Sequence, residues 1–231
     1  MKRTGILTIV SLILYLFRSL ICGLLIGTMH VNEVLAEGLS IFVVLAVIFF
    51  MIRGKERLTY FGICGWEGDG FLKANFFLFF VPLVNLPYVF LGAGIDVMPA
   101  ILDSIFIGVM EELIFRSFLC RAVEQRLDRN KAIIISSLIF GCFHLINIGN
   151  YPLIYVLLQV VYAFSMGIVF AVVFYKTKSI LPCMVIHAMV DFLGSYAAEP
   201  ILIIEAIGTI VCIACAIYCF FLLFRKSVPA G

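Results

Sequence analysis

The chain has 231 residues, 64% of them hydrophobic and 13% charged, with a formal net charge of +2 at pH 7 and a mean hydropathy of +1.19. Composition this apolar excludes an ordinary soluble domain. So small a net charge gives no footing for nucleic-acid binding, and none is expected.

Crossing about 30 Å of hydrocarbon takes about 17 to 25 apolar residues. Eight runs meet that length, at about 5–29, 34–52, 72–93, 99–120, 132–149, 152–175, 179–197 and 200–224. They predict an all-α polytopic membrane protein of about eight transmembrane helices, a single integral domain over 1–231. The first run follows Lys2 and Arg3 as a signal peptide would, yet Arg18 interrupts it and no small-x-small cleavage pattern follows. It is read as a retained helix. Pro82 and Pro87 lie inside the third run and predict a kink or break there. Pro99, Pro152, Pro182 and Pro200 stand near the starts of the fourth, sixth, seventh and eighth, where a missing N–H costs nothing.

Basic residues test this count independently, because cytoplasmic loops collect them. Lys2, Arg3, Arg53, Lys55, Arg57, Lys73, Arg121, Arg126, Arg129, Lys131, Lys176, Lys178, Arg225 and Lys226 all fall on one side if there are eight crossings. The opposite loops, around 30–37, 94–98, 147–151 and 197–200, carry none. Both termini are therefore expected to be cytoplasmic, in what we take to be a bacterial plasma membrane. The polar stretch 53–70 reads as a cytoplasmic loop with an interfacial segment around Tyr60, Phe61 and Trp66. No internal repeat or long linker divides the chain.

Eight cysteines invite a disulfide or metal reading. Cys22, Cys142, Cys212, Cys215 and Cys219 lie within expected helices, and Cys64, Cys120 and Cys183 at or near the cytoplasmic side. A reducing compartment and lipid burial argue against bridges, so the thiols are read as packing residues.

Ionisable side chains inside membrane runs are costly and mark functional sites by default. The fourth run contains Glu111, Glu112 and Arg116. Glu112 and Arg116 are four apart with the acid first, so they meet on one helix face. Arg116 is read as a structural clamp on that carboxylate, since removing either partner strands the other. Glu111 has no cation at helical spacing, which leaves it free to act as a general base. The competing reading is a buried ion network that holds helices together. Depth favours function: at about 1.5 Å per residue, Glu111 lies about 18 Å from Pro99, His144 about 20 Å from Lys131, and His187 and Asp191 about 12 and 18 Å into the seventh run. All fall in the central layer. Arg18, Asp103 and Glu205 receive blander readings: a snorkelling or paired cation, an acid in a helix's first turn, and an acid that reaches the interface.

Glu111-Glu112-x-x-x-Arg116, then Phe140-x-x-x-His144, then His187-x-x-x-Asp191 resembles the three-motif signature of the CPBP family. These are the CAAX-protease and bacteriocin-processing intramembrane proteases, also called Abi proteins. The resemblance spans about 99–197, expected as the catalytic core, with the first three helices and the last as a variable remainder. It implies that Glu111 activates water with help from His144, that His187 and Asp191 orient substrate and stabilise the oxyanion, and that Glu112 belongs to the same centre. Phe140 is expected to pack on His144 as a second clamp. The third motif ends in Asp191, where the prenyl-protease branch typically has Asn. Glu111, His144 and His187 also make an acceptable zinc shell, although the prenyl-protease branch implies a metal-free glutamate mechanism. The expected partner is a membrane-embedded peptide or protein substrate in the lipid bilayer. Two other readings stand beside the endopeptidase: a bacteriocin self-immunity protein acting by binding, and a transporter or proton relay through Glu111, His144 and His187.

Overall fold

A computed structural model describes residues 2–30, 33–63, 73, 75–92 and 94–224. Cys64, Trp66, Arg225 and Lys226, invoked above, lie outside them. In chain order the helices are α1 (Lys2–Met29), α2 (Glu33–Ile52), α3 (Lys55–Tyr60), a 3-10 segment (Phe76–Asn85) continuing into α4 (Leu86–Leu91), and α5 (Val97–Glu112). A π-helical stretch (Leu113–Leu119) then leads into α6 (Cys120–Glu124), followed by α7 (Arg129–Phe143) with a 3-10 turn (His144–Asn147), α8 (Leu153–Thr177), α9 (Leu181–Gly194) and α10 (Leu202–Phe224). The described residues contain no β-strand; their one β-bridge, between Ile148 and Tyr151, is isolated.

Five described helices are long and apolar enough to cross a membrane: Thr4–Met29, Leu35–Ile52, Arg129–Asn147, Leu153–Thr177 and Leu202–Leu223. The remaining three expected runs are helical but differ from simple spans. Phe76–Leu91 and Leu181–Gly194 are shorter; at about 1.5 Å per residue the 14 residues of α9 reach about 21 Å. The fourth run carries the charges and passes from α5 through the π stretch into α6. The third breaks where its prolines predict, with Pro82 inside the 3-10 segment and Pro87 in the first turn of α4. Pro152 is the residue before α8 and Pro200 precedes α10 by two, so both stand just outside the first turns expected for them.

The centre of the bundle is α8. Ser165 to Phe174 are all buried, as expected for a helix apolar on every side and surrounded by others. It packs against α7 and α10, while α9 packs against α5. Small residues set these crossings. A Cβ on Gly167 would lie 2.8 Å from Ser137 Cβ, and one on Gly141 2.8 Å from the Val160 carbonyl oxygen, so α7 and α8 touch backbone to backbone. A Cβ on Gly108 would lie 3.0 Å from Ala188 N and 3.1 Å from Met184 O. That contact fixes α5 to α9 three residues before Glu111 and one residue after His187. The free thiols Cys120, Cys183, Cys212 and Cys219 are buried, as packing residues should be.

Candidate active site

Glu111 and Glu112 end α5, and the close Gly108–Ala188 crossing places them against His187 on α9. His187 Nδ1 is 2.9 Å from Glu112 Oε1. Arg116 Nε is 3.1 Å from Glu112 Oε2, and both side chains are almost fully buried. The ion pair expected from their spacing is present, although the turn between them is partly π-helical, an irregularity that recurs at functional sites. The guanidinium has aromatic faces for its remaining neighbours: Cζ lies 4.1 Å from the Phe140 ring centroid and 5.3 Å from that of Phe170. Cation–π attraction is strongest where water is excluded. Phe170 stacks on the His187 imidazole at 5.6 Å, and Phe140 stands edge-on to His187 at 6.0 Å and to His144 at 5.1 Å.

Glu111 has a different environment. Its Oε1 accepts a 3.0 Å hydrogen bond from the Tyr15 hydroxyl of α1, and its Oε2 lies 3.6 Å from His187 Nε2. Asp191 Oδ2 is also 3.6 Å from that nitrogen. Neither separation is a direct hydrogen bond, and both suit a bridging water. These groups border a cavity of about 230 Å³ that also meets His144 and Gln159. His144 caps α7, its Nδ1 3.0 Å from the Phe140 carbonyl oxygen. All six motif residues thus gather at one place, with Phe140 packed among them.

One expectation changes and two placements add detail. The carboxylate that holds His187 by a direct hydrogen bond is Glu112, not Asp191, because α5 approaches the ring more closely than the next turn of its own helix does. Asp103 lies in the second turn of α5, which begins at Val97, and pairs with Arg18 at 3.0 Å. Glu205 meets the Tyr88 hydroxyl at 2.7 Å and borders a cavity shared with His187 and Asp191.

Tyr15, Phe170 and Gln159 were not singled out from sequence. A tyrosine in an apolar run signals only that its hydroxyl needs a partner, and Tyr15 and Arg18, three apart on α1, both turn toward α5. Among the described residues no group of three His, Cys, Asp or Glu is placed to hold an ion. Both nitrogens of His187 already face carboxylates, and His144 turns Nδ1 to its own helix.

Residues 93–193 match the family model described as type II CAAX prenyl endopeptidase Rce1-like. The chain carries an Rce1-like domain. The match, under half of the chain, runs through α5 and into α9 and includes every motif residue. No curated protein matches the chain.

Proposed function

We propose that this protein is an intramembrane endopeptidase that hydrolyses a membrane-associated peptide with a water activated by Glu111. The observation that carries the reading is the placement of Glu111 Oε2 and Asp191 Oδ2, each 3.6 Å from His187 Nε2 at a cavity wall. A water bound there attacks the carbonyl carbon and gives its proton to Glu111. The oxyanion that forms faces His187, whose protonated ring donates Nδ1–H to Glu112 and Nε2–H to the developing charge. His144, on the same cavity, orients the water or the carbonyl. Breakage of the C–N bond then takes the proton from Glu111 to the leaving amine, giving a carboxylic acid and an amine.

In this reading 1–231 is one integral domain whose catalytic core, 99–197, is completed by Tyr15 from α1. Glu112, Arg116, Phe140 and Phe170 hold the His187 ring without taking part in proton transfer. The test is mass spectrometry of CAAX-type peptides, prenylated and unprenylated, incubated with the purified protein in liposomes, with and without a chelator. New termini made by the wild type and retained with chelator are expected. Intact peptides throughout contradict the reading, and cleavage lost only with chelator overturns its metal-free form.

A further inference from the structure

A cavity of about 330 Å³, distinct from the one at Glu111, also meets His144, His187 and Asp191 and reaches Tyr88 and Glu205. A second cavity of about 330 Å³ shares Gln159, Gly194, Ala197 and Glu205 with the first and adds Tyr151 and Tyr155. Glu205 therefore stands where the two meet. Its Oε1 takes the Tyr88 hydroxyl at 2.7 Å, and the same hydroxyl accepts the Ile201 N–H at 2.9 Å. One tyrosine thus fixes both the carboxylate and the start of α10. Among the described residues Glu205 has no cationic partner and its Oε2 no hydrogen bond. The connections beside it, 147–152 and 195–201, contain Glu199 but no Lys or Arg. A half-buried carboxylate on a polar path to the reacting groups, with no counter-charge of its own, is complementary to a cation brought by the ligand.

On the peptidase reading above, we propose that Glu205 is a specificity-determining residue that pairs with a Lys or Arg side chain of the substrate peptide, at the end of the cavity away from the scissile bond. Tyr88 holds the carboxylate in place before the substrate arrives, so little ordering is needed on binding. The Gln159 amide, which accepts from Asn147 through its oxygen at 2.8 Å, lies between this position and the reacting groups.

The test uses the full chain in neutral phosphatidylcholine liposomes, which avoid lipid charge. Fluorogenic peptides carry a single Lys, moved one position at a time along one side of the cleaved bond, and each is paired with a norleucine counterpart. At one position the Lys peptide is expected to have a kcat/KM about tenfold higher, as for a hydrogen bond to a charged partner. Glu205→Gln, which still accepts the Tyr88 hydrogen bond, brings that ratio to about one. Glu205→Lys transfers the preference to the matching Glu peptide. An equal loss on both peptides, or an unchanged ratio in Glu205→Gln, overturns the proposal. Peptide binding by fluorescence anisotropy, compared between Glu111→Gln and the Glu111→Gln/Glu205→Gln double variant, separates the two claims. A Lys preference that depends on Glu205 without any wild-type cleavage refutes the peptidase and keeps the subsite; cleavage without that preference does the reverse.

Discussion

Glu111 and Glu112 are neighbours in the chain and sit in opposite kinds of surroundings. On the Glu112 side, an arginine, two phenylalanines and an imidazole close around the carboxylate, which is fully buried. On the Glu111 side, a cavity meets the carboxylate, and a tyrosine holds only one of its oxygens. A rotation of about 100° along one helix separates a group that is held from a group that is free to react. The packed side is where substitution should cost stability, and the open side is where it should cost rate.

The largest stability effect should come from Arg116→Leu. It leaves the Glu112 carboxylate buried without its cation, and a broken buried pair costs about 3–5 kcal/mol. Thermal unfolding in detergent should fall accordingly. A variant as stable as the wild type would mean that the packed side does not depend on its charge pair. Gly108→Val comes next, since its side chain meets the α9 backbone. Overpacking costs about 1–3 kcal/mol, and separating α5 from α9 should lower kcat as well. Full activity in that variant would break the link between the helix crossing and the site.

Tyr15→Phe sharpens the open side. The ring keeps its stacking on Phe106 at 6.0 Å while Glu111 loses a charged hydrogen bond, and kcat should fall about tenfold with KM little changed. A change in KM alone would move Tyr15 from the base to substrate binding. The smallest effect lies far from the site. Asp128 accepts the Lys131 N–H at the start of α7 and pairs with its ammonium, and these contacts hold its carboxyl below the ordinary value of 3.8. A carboxyl depressed by folding supports the helix start above its unfolded pKa and loses that support as pH falls through the folded value. Protection of the first-turn amides of α7, measured against their intrinsic exchange rates, should therefore fall below pH 3.8, and Asp128→Ala should exchange faster at neutral pH. Equal exchange in both proteins would remove Asp128 as a cap.

Much of this contrast was legible in the residues. The four-residue spacing of Glu112 and Arg116, the prolines of the third run and the matched depths of the ionisable groups each follow from helix geometry applied to a chain with few charges. What was not legible came from contacts between helices distant in sequence. Tyr15 looks like any aromatic residue of a lipid-facing helix until α1 is laid against α5. The Phe140–Arg116–Phe170 sandwich depends on α7 and α8 meeting at Gly141 and Gly167. The i,i+4 spacing of His187 and Asp191 invites a direct hydrogen bond; the nearer approach of Glu112 shows tertiary packing overriding a local pairing.

The most direct measurement is a paired one, kcat together with thermal unfolding for Glu111→Gln and Glu112→Gln. If Glu111 is the base, Glu111→Gln unfolds close to the wild-type temperature with kcat lowered about 10²- to 10⁴-fold, whereas Glu112→Gln unfolds at clearly lower temperature. Wild-type turnover in Glu111→Gln, or the same loss of stability and rate in both variants, would contradict the division between a reacting and a holding carboxylate.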